Sequence, residues 1–279
     1  MNHRQSPRIS VVLPTYNRAW TVKAALDSIL AQDYANLETI VVDDGSSDDT
    51  PALLSAYEGR VRIIRQANQG VSAARNAGIR AASGELIALL DSDDLWLPGK
   101  AAAQAAFFAA QADALICQTE EIWIRNGVRV NPGKRHRKAG GMIFERSLTL
   151  CLVSPSAVMM RRSLLDEVGL FDESLPACED YDLWLRIAWR HPIHLIDRPL
   201  ILKRGGHADQ LSRMPQLDKY RIRSIDRLLT SGCLDADQTT AAIRTLTAKC
   251  AIYAQGCRRR GRTAEAERYE ALAATYGSH

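Results

Sequence analysis

The chain has 279 residues, 46% of them hydrophobic and 24% charged, with a net charge of +4. These values fit one large folded domain with or without an appendage, and they exclude a disordered or fibrous chain. The charge is too small to argue for nucleic acid. No run reaches the roughly eighteen apolar residues that a membrane-spanning helix needs, so a cytoplasmic location is the expectation.

From Ile9 to about Leu90, short apolar β-branched runs alternate with helical segments: ISVVLP, a helix over 19–32, ETIVVDD, a short helix, VRIIRQ, a helix over 71–82, and ELIALLD. The strands lack polar alternation, as expected where helices cover both faces of a sheet. The pattern therefore predicts an α/β fold, Rossmann-like, with a doubly wound and mostly parallel sheet. Ligands of such sheets sit beyond the carboxyl ends of the strands. The first strand ends in Pro14-Thr15-Tyr16-Asn17-Arg18, the second in Asp43-Asp44-Gly45 and the fourth in Asp91-Ser92-Asp93-Asp94, so three tips converge on one polar rim. Asn68-Gln69-Gly70 opens the helix that carries Arg75, and its free amide end would favour an anion.

The middle third reads as a helix, a strand (ALICQTEEIWI), a turn at Asn126-Gly127, a polar loop over 131–141 and mixed structure ending in LIDRPLILKR, which adds antiparallel pieces to the sheet. After Met214 the pattern becomes helical, over 216–230, 235–259 and 263–276. This divides the chain into an α/β domain, 1–215, and a small helical extension, 216–279. Six cysteines without a CxxC pair fit reduced, mostly buried thiols. Two basic clusters, 134–138 and 258–262, are either solvated faces or contacts for an anionic partner such as a lipid pyrophosphate or the inner-leaflet surface, which would make the protein peripheral to a membrane. The sequence leaves the oligomeric state open.

Three carboxylates within Asp91–Asp94 crowd one turn, which is unfavourable unless a cation neutralises them. A hard divalent cation, Mn²⁺ or Mg²⁺, takes one or two carboxylates together with substrate phosphates, and this predicts a nucleoside diphosphate bridged by metal. The alternative is a helix cap and surface turn. Asp43 and Asp44 either cap a turn or accept from a base N–H or ribose hydroxyl, and Tyr16 offers a face to a base. PTYNR stands where a GxGxxG would, and no lysine-bearing phosphate loop is present, which disfavours nicotinamide and flavin enzymes. Glu179 and Asp180 begin a helix whose Leu183, Ile187 and Ala188 face the core. They are expected at an exposed first turn, where an ionised carboxylate either caps the helix or takes a proton from a hydroxyl. The glycine-containing stretch 204–212 is positioned to fold over a ligand, with His207 reaching a metal or a phosphate.

Taken together, VVLPTYNR, VVDDGSSDDT, NQGVSAARNAG, LLDSDD followed by LWLPGK, and EDYDLWLR resemble family 2 glycosyltransferases of the GT-A fold over about residues 9–212. The helical tail lies outside the resemblance. It implies that Pro14, Thr15, Tyr16 and Asp44 bind the donor nucleoside, with Asp43 and Arg18 nearby and Arg75 supporting the pocket. Asp91, Ser92 and Asp93 match the family's DXD motif, with Asp93 as metal ligand and Asp91 beside ribose or sugar. Asp180 matches the catalytic base, Glu179 and Trp184 the acceptor side, and His207 a late histidine that joins the metal or diphosphate. The implied activity is inverting transfer from a nucleotide sugar, a UDP-sugar foremost, to a saccharide or lipid-linked acceptor in surface polysaccharide or glycoconjugate assembly. A nucleotidyltransferase, which would want a glycine-rich basic loop after the first strand, and a catalytically silent binding module are the alternatives.

Overall fold

The computed structural model describes residues 6–131, 133, 136–207, 210–211 and 214–277. Strands β1 (Ile9–Thr15), β2 (Leu37–Asp43), β3 (Arg62–Arg65) and β4 (Leu86–Leu89) pair in parallel in the order β3-β2-β1-β4. Helices α1 (Val22–Leu30), α2 (Thr50–Ser55) and α3 (Val71–Ala81) connect them. Successive strand residues point to opposite faces, and here both faces are apolar. Val12, Ile87 and Leu89 join one buried cluster, while Val11, Leu13, Leu86 and Ala88 join another. Helix α3 lies so close to β1 that a Cβ added at Gly78 would meet Val12 Cγ1 at 2.3 Å.

The sheet then grows by the expected antiparallel additions. In chain order these are β5 (Leu95–Trp96), α4 (Lys100–Ala110), β6 (Ile116–Arg125), β7 (Val128–Val130), α5 (Phe144–Thr149), β8 (Val158–Arg161), α6 (Arg162–Val168), α7 (Glu179–Ala188) and β9 (His194–Gly205). Strand β8 runs antiparallel between β4 and β6, β9 lies parallel to β6, and β5 pairs antiparallel with β9. The β5–β9 pairing, Leu95 opposite Leu202, brings the end of β9 beside the acidic turn that follows β4.

Helices α8 (Leu217–Ser231), α9 (Ala236–Arg259) and α10 (Thr263–Gly277) close the chain. Asp235 and Gln238 form a reciprocal capping box at the start of α9. These helices do not make a core of their own. Ile222, Ile225, Leu246 and Cys250 belong to the same buried cluster as Tyr181, Leu183 and Leu185 of α7, so the expected boundary at residue 215 does not separate two cores. The apolar stripes of α8 and α9 need a partner surface, and α7 supplies it.

All six cysteines are free, three of them buried. The basic clusters are partly neutralised: Arg258 pairs with Glu270 and Arg262 with Glu265, whereas Lys138 is buried and paired with Glu121 rather than solvated. Lys134 and Arg135 lie outside the described residues. No described helix is long and apolar enough to cross a membrane.

Candidate active site

The tips of β1, β2 and β4, the start of α3 and the end of β9 enclose a cavity of about 630 Å³. Pro14, Thr15, Tyr16, Arg18, Asp44, Arg75, Asp91, Ser92, Asp93 and His207 line it, so the structure gathers most of the expected donor residues in one place. Tyr16 is 45% exposed, which leaves a ring face available, while Thr15 Oγ1 is buried without a partner among the described residues. Asn17, in a left-handed conformation with φ 50°, ties the first two tips together. Its Oδ1 accepts from Ser47 N at 2.8 Å and its N–H donates to Ser46 Oγ at 2.9 Å.

Asp44 meets part of the amide end expected at the start of α3. Its Oδ1 accepts from Gln66 Nε2 at 2.7 Å and Gln69 N at 3.0 Å, and its Oδ2 accepts from Gly70 N at 2.8 Å. One anion at the helix start is thus the chain's own carboxylate, bonded to the N-cap amide. A carboxylate has about four lone-pair sites, so one remains on Oδ2 for a ligand. Asp43 is buried, accepts from Ser46 N at 3.0 Å, and stands behind the wall of the cavity as a turn-former.

In the second acidic cluster most of the partners are side chains. Arg75 Nη2 donates to Asp91 Oδ1 at 2.7 Å, His207 Nε2 lies 2.8 Å from Asp93 Oδ2, and Asp94 is buried, accepting from Ser156 Oγ at 2.6 Å and Arg204 N at 2.9 Å. Burial first, then the neighbouring Asp91 charge, pushes the Asp93 carboxyl up, with His207 pulling against both. Asp94 anchors this turn to β9 and to the short 3₁₀ turn Pro155–Ala157. Trp20, 61% exposed, stands edge-on to the His207 ring at 5.4 Å; as a lone aromatic in a polar loop it carried no sequence signal. Ala208, Asp209 and Ser212 of the expected covering segment lie outside the described residues.

Arg75 Nη1 also donates to Glu179 Oε1 at 2.6 Å. One buried guanidinium therefore joins the β4 tip to the start of α7. Burial would lower the Arg75 pKa, but Asp91 and Glu179 outweigh it and raise the group above its ordinary range. One N–H of each terminal nitrogen is engaged, so Arg75 ties the two sides of the site together while still lining the cavity. Glu179 is only 4% exposed, which corrects its expected exposed, acceptor-side position. Its neighbour Asp180 is half-buried, does not line the 630 Å³ cavity, and accepts through Oδ2 from the Cys151 thiol at 3.5 Å. Burial first, then the Asp180 charge, pushes the Cys151 thiol well up, which keeps its proton in place for that bond.

Trp184 is corrected as well. It is 1% exposed, sits among core residues and packs edge-on to Phe171 at 6.5 Å, so it cannot touch an acceptor. The large area of an indole favours the α7–α8 core over the rim. The sequence reading also missed Asn76, whose side chain clamps Phe171 N and O at 3.0 and 2.9 Å and so fixes the approach to α7.

No cluster of three or more His, Cys, Asp or Glu side chains suited to a metal occurs among the described residues. Asp93 and His207 nevertheless fit an Mg²⁺ or Mn²⁺ site. An imidazole nitrogen and a carboxylate oxygen face each other in the cavity, and such ions usually take only one or two protein ligands, the rest of the shell coming from phosphate and water.

The family model described as "Glycosyl transferase family 2" matches residues 10–169. An uncharacterized glycosyltransferase of Rickettsia prowazekii is 32% identical over 77% of this chain and 70% of its own length, whereas a Rickettsia conorii relative is matched over only 35% of its length. An Escherichia coli protein described as a UDP-Glc:alpha-D-GlcNAc-diphosphoundecaprenol beta-1,3-glucosyltransferase is 33% identical over 64% of this chain and 69% of its own. Among solved structures, Staphylococcus aureus TarS with UDP-GlcNAc superposes with a TM-score of 0.67 at 18% identity, covering 94% of this chain and 90% of that one. A Pyrobaculum calidifontis mannosyltransferase with GDP-Man and Mn²⁺ gives 0.57 at 19%, covering 98% and 85%. At those identities the two structures speak for the fold alone. With the family match spanning more than half of its length and the sheet arranged as described, this chain belongs to glycosyl transferase family 2 and has the GT-A fold.

Proposed function

We propose that the chain transfers a glycosyl unit, with inversion, from a nucleoside-diphosphate sugar to a hydroxyl of a saccharide or lipid-linked acceptor. The observation that carries this reading is the Arg75 bridge. It binds Asp91 of the cavity rim and Glu179 of α7 at once, so Asp180 is held beside the place where a donor would lie. A UDP-sugar is the first donor to test, because TarS was solved with UDP-GlcNAc and the Escherichia coli relative is named for UDP-Glc. That relative's diphosphoundecaprenol acceptor supports a lipid-linked acceptor here, met at the inner membrane face during surface-glycan assembly.

In this reading the base stacks near Tyr16, Asp44 accepts from the nucleoside through its remaining lone pair, and Pro14, Thr15, Arg18 and Ser92 form the walls. Asp93 and His207 would hold Mn²⁺ or Mg²⁺; Mn²⁺ in the Pyrobaculum structure supports that choice. The ion would supply electrostatic relief to a departing diphosphate. Asp180 takes the proton from the acceptor hydroxyl, whose oxygen bonds to the anomeric carbon as the bond from that carbon to the diphosphate oxygen breaks. The Tyr181 N–H at 2.7 Å and the Cys151 thiol hold the two carboxylate oxygens of Asp180 in place. A retaining double displacement would need a second carboxylate as nucleophile. Glu179, the adjacent candidate, is buried and ion-paired, and this favours a single inverting step.

The test is a panel of nucleotide sugars with Mn²⁺ or Mg²⁺ and a sugar-diphospholipid acceptor, read as product formed. Asp180→Asn should lower turnover by about 10²- to 10⁴-fold while UDP still binds. Asp93→Ala should remove the metal-dependent part of binding. Nucleotide-sugar binding without transfer in the native chain would instead favour a silent binding module, and binding of no nucleotide sugar at all would defeat the reading.

A further inference from the structure

Buried and half-buried cations in this fold are resolved in three ways. Arg75 has two carboxylates, at 2.7 and 2.6 Å, and Lys138 has Glu121 at 3.3 Å. Lys100 has no carboxylate partner among the described residues; it lies over the Trp96 ring at 4.1 Å, donates to Gln104 Oε1 at 2.5 Å, and burial pulls its pKa down to about 7. Lys203 shares with Lys100 a nearby indole and one uncharged acceptor, but it faces the cavity and keeps its charge. It sits on β9, lines the cavity, and its one hydrogen bond is to Ser154 Oγ at 3.0 Å, with no carboxylate within 4.0 Å among the described residues. An ammonium has three donors, so two remain. Burial would lower the Lys203 pKa, but the more distant Glu121, Asp94 and Asp91 outweigh it and raise the group, so the charge stays.

That charge is balanced only at a distance, so among the described residues its two remaining donors have no directly bonded anion. The cavity wall is where one would arrive. Lys203 stands between two halves of the site: Asp91 and Asp94 act on it from the donor side, and Cys151, which touches Asp180, from the other. Its Nζ also stands over the Trp123 ring, 5.7 Å from the ring centre.

We propose that Lys203 is a specificity-determining residue that binds a phosphate oxygen of a diphosphate, either the donor's leaving diphosphate or the diphosphate of a lipid-linked acceptor. The proposal rests on the nucleotide-sugar reading of the cavity and extends it to a residue that the family resemblance did not mark. Charge-assisted hydrogen bonds of this kind are worth about tenfold to a hundredfold in affinity.

The full chain is titrated calorimetrically with inorganic pyrophosphate, UDP, uridine and a GlcNAc-diphospholipid in detergent micelles, comparing the native protein with Lys203→Met and Lys203→Arg. Weaker pyrophosphate and UDP binding in Lys203→Met, with uridine unchanged and Lys203→Arg largely restored, assigns the contact to the donor. A loss confined to the diphospholipid assigns it to the acceptor. Equal binding of every phosphate by native and Met proteins overturns the proposal. Should Lys203→Met not fold, protection of Lys203 from amine acylation by pyrophosphate or the diphospholipid in the native protein gives the same decision, and lack of protection by both overturns it. A native chain that binds pyrophosphate through Lys203 but transfers no sugar would refute the wider reading and leave this one standing.

Discussion

The strands on either side of β1 both end in clustered acids, and the two tips are neutralised in opposite ways. At the β2 tip, Asp43 and Asp44 are met by backbone N–H groups and one amide side chain, all between β2 and the start of α3. At the β4 tip, Asp91 and Asp93 are met by Arg75 and His207, the second arriving from 114 residues away, at the far end of the sheet. Backbone donors are fixed by the fold and hold a rigid wall. A side-chain partner such as His207 sits where it can share its carboxylate with an incoming cation. The difference separates a nucleoside-shaping wall from a charge-handling one, although the two sequences, DDGSS and DSDD, look alike.

Four substitutions probe this contrast. Arg75→Met should have the largest effect on stability, about 3–5 kcal/mol by chemical denaturation, because it strands the buried Glu179 carboxylate and frees α7 from the β4 tip. A loss below about 1 kcal/mol would mean that the bridge does not carry the join. Gly45→Ala acts on the other tip. Its φ of 80° and the 2.8 Å approach of a Cβ to Asn68 N predict a loss of roughly 1–2 kcal/mol together with weaker nucleotide binding.

Asp44→Ala removes the acceptor for two amides at the start of α3 and should cost about 0.5–2 kcal/mol, with a thermal midpoint lowered even without ligand. An unchanged midpoint would show that Asp44 serves the ligand alone. The fourth change is one of slope. Lys100 has a folded pKa of about 7, below its unfolded value, so the unfolded chain holds the proton between about pH 7 and 10.5 while the folded chain does not. Stability therefore rises with pH across that window, and the cost of the charge is fully present below it. Lys100→Met should be more favourable relative to the native chain at pH 6.5 than at pH 10, as read from paired denaturation midpoints. Parallel curves would refute the assignment.

The sequence by itself determined the α/β architecture, the parallel start of the sheet and three polar tips. Apolar runs with no polar alternation, such as ISVVL and LIALL, require helices on both faces, and turn chemistry places Asp43–Gly45 and Asp91–Asp94 at the same end. It also located the three C-terminal helices, but not that they share the core of α7. Amphipathic periodicity says that a stripe is buried, not against what.

What only the tertiary structure decided was which charge meets which. Glu179 reads as exposed because it opens a helix, and the family resemblance puts Trp184 on the acceptor side, yet ion pairing with Arg75 and packing on Phe171 turned both inward. Lys203 lies in an apolar strand with nothing in its spacing to distinguish it from Lys100 or Lys138. Ion pairing is set by distances between residues far apart in the chain, and those distances exist only once β9 is laid beside β6 and β5.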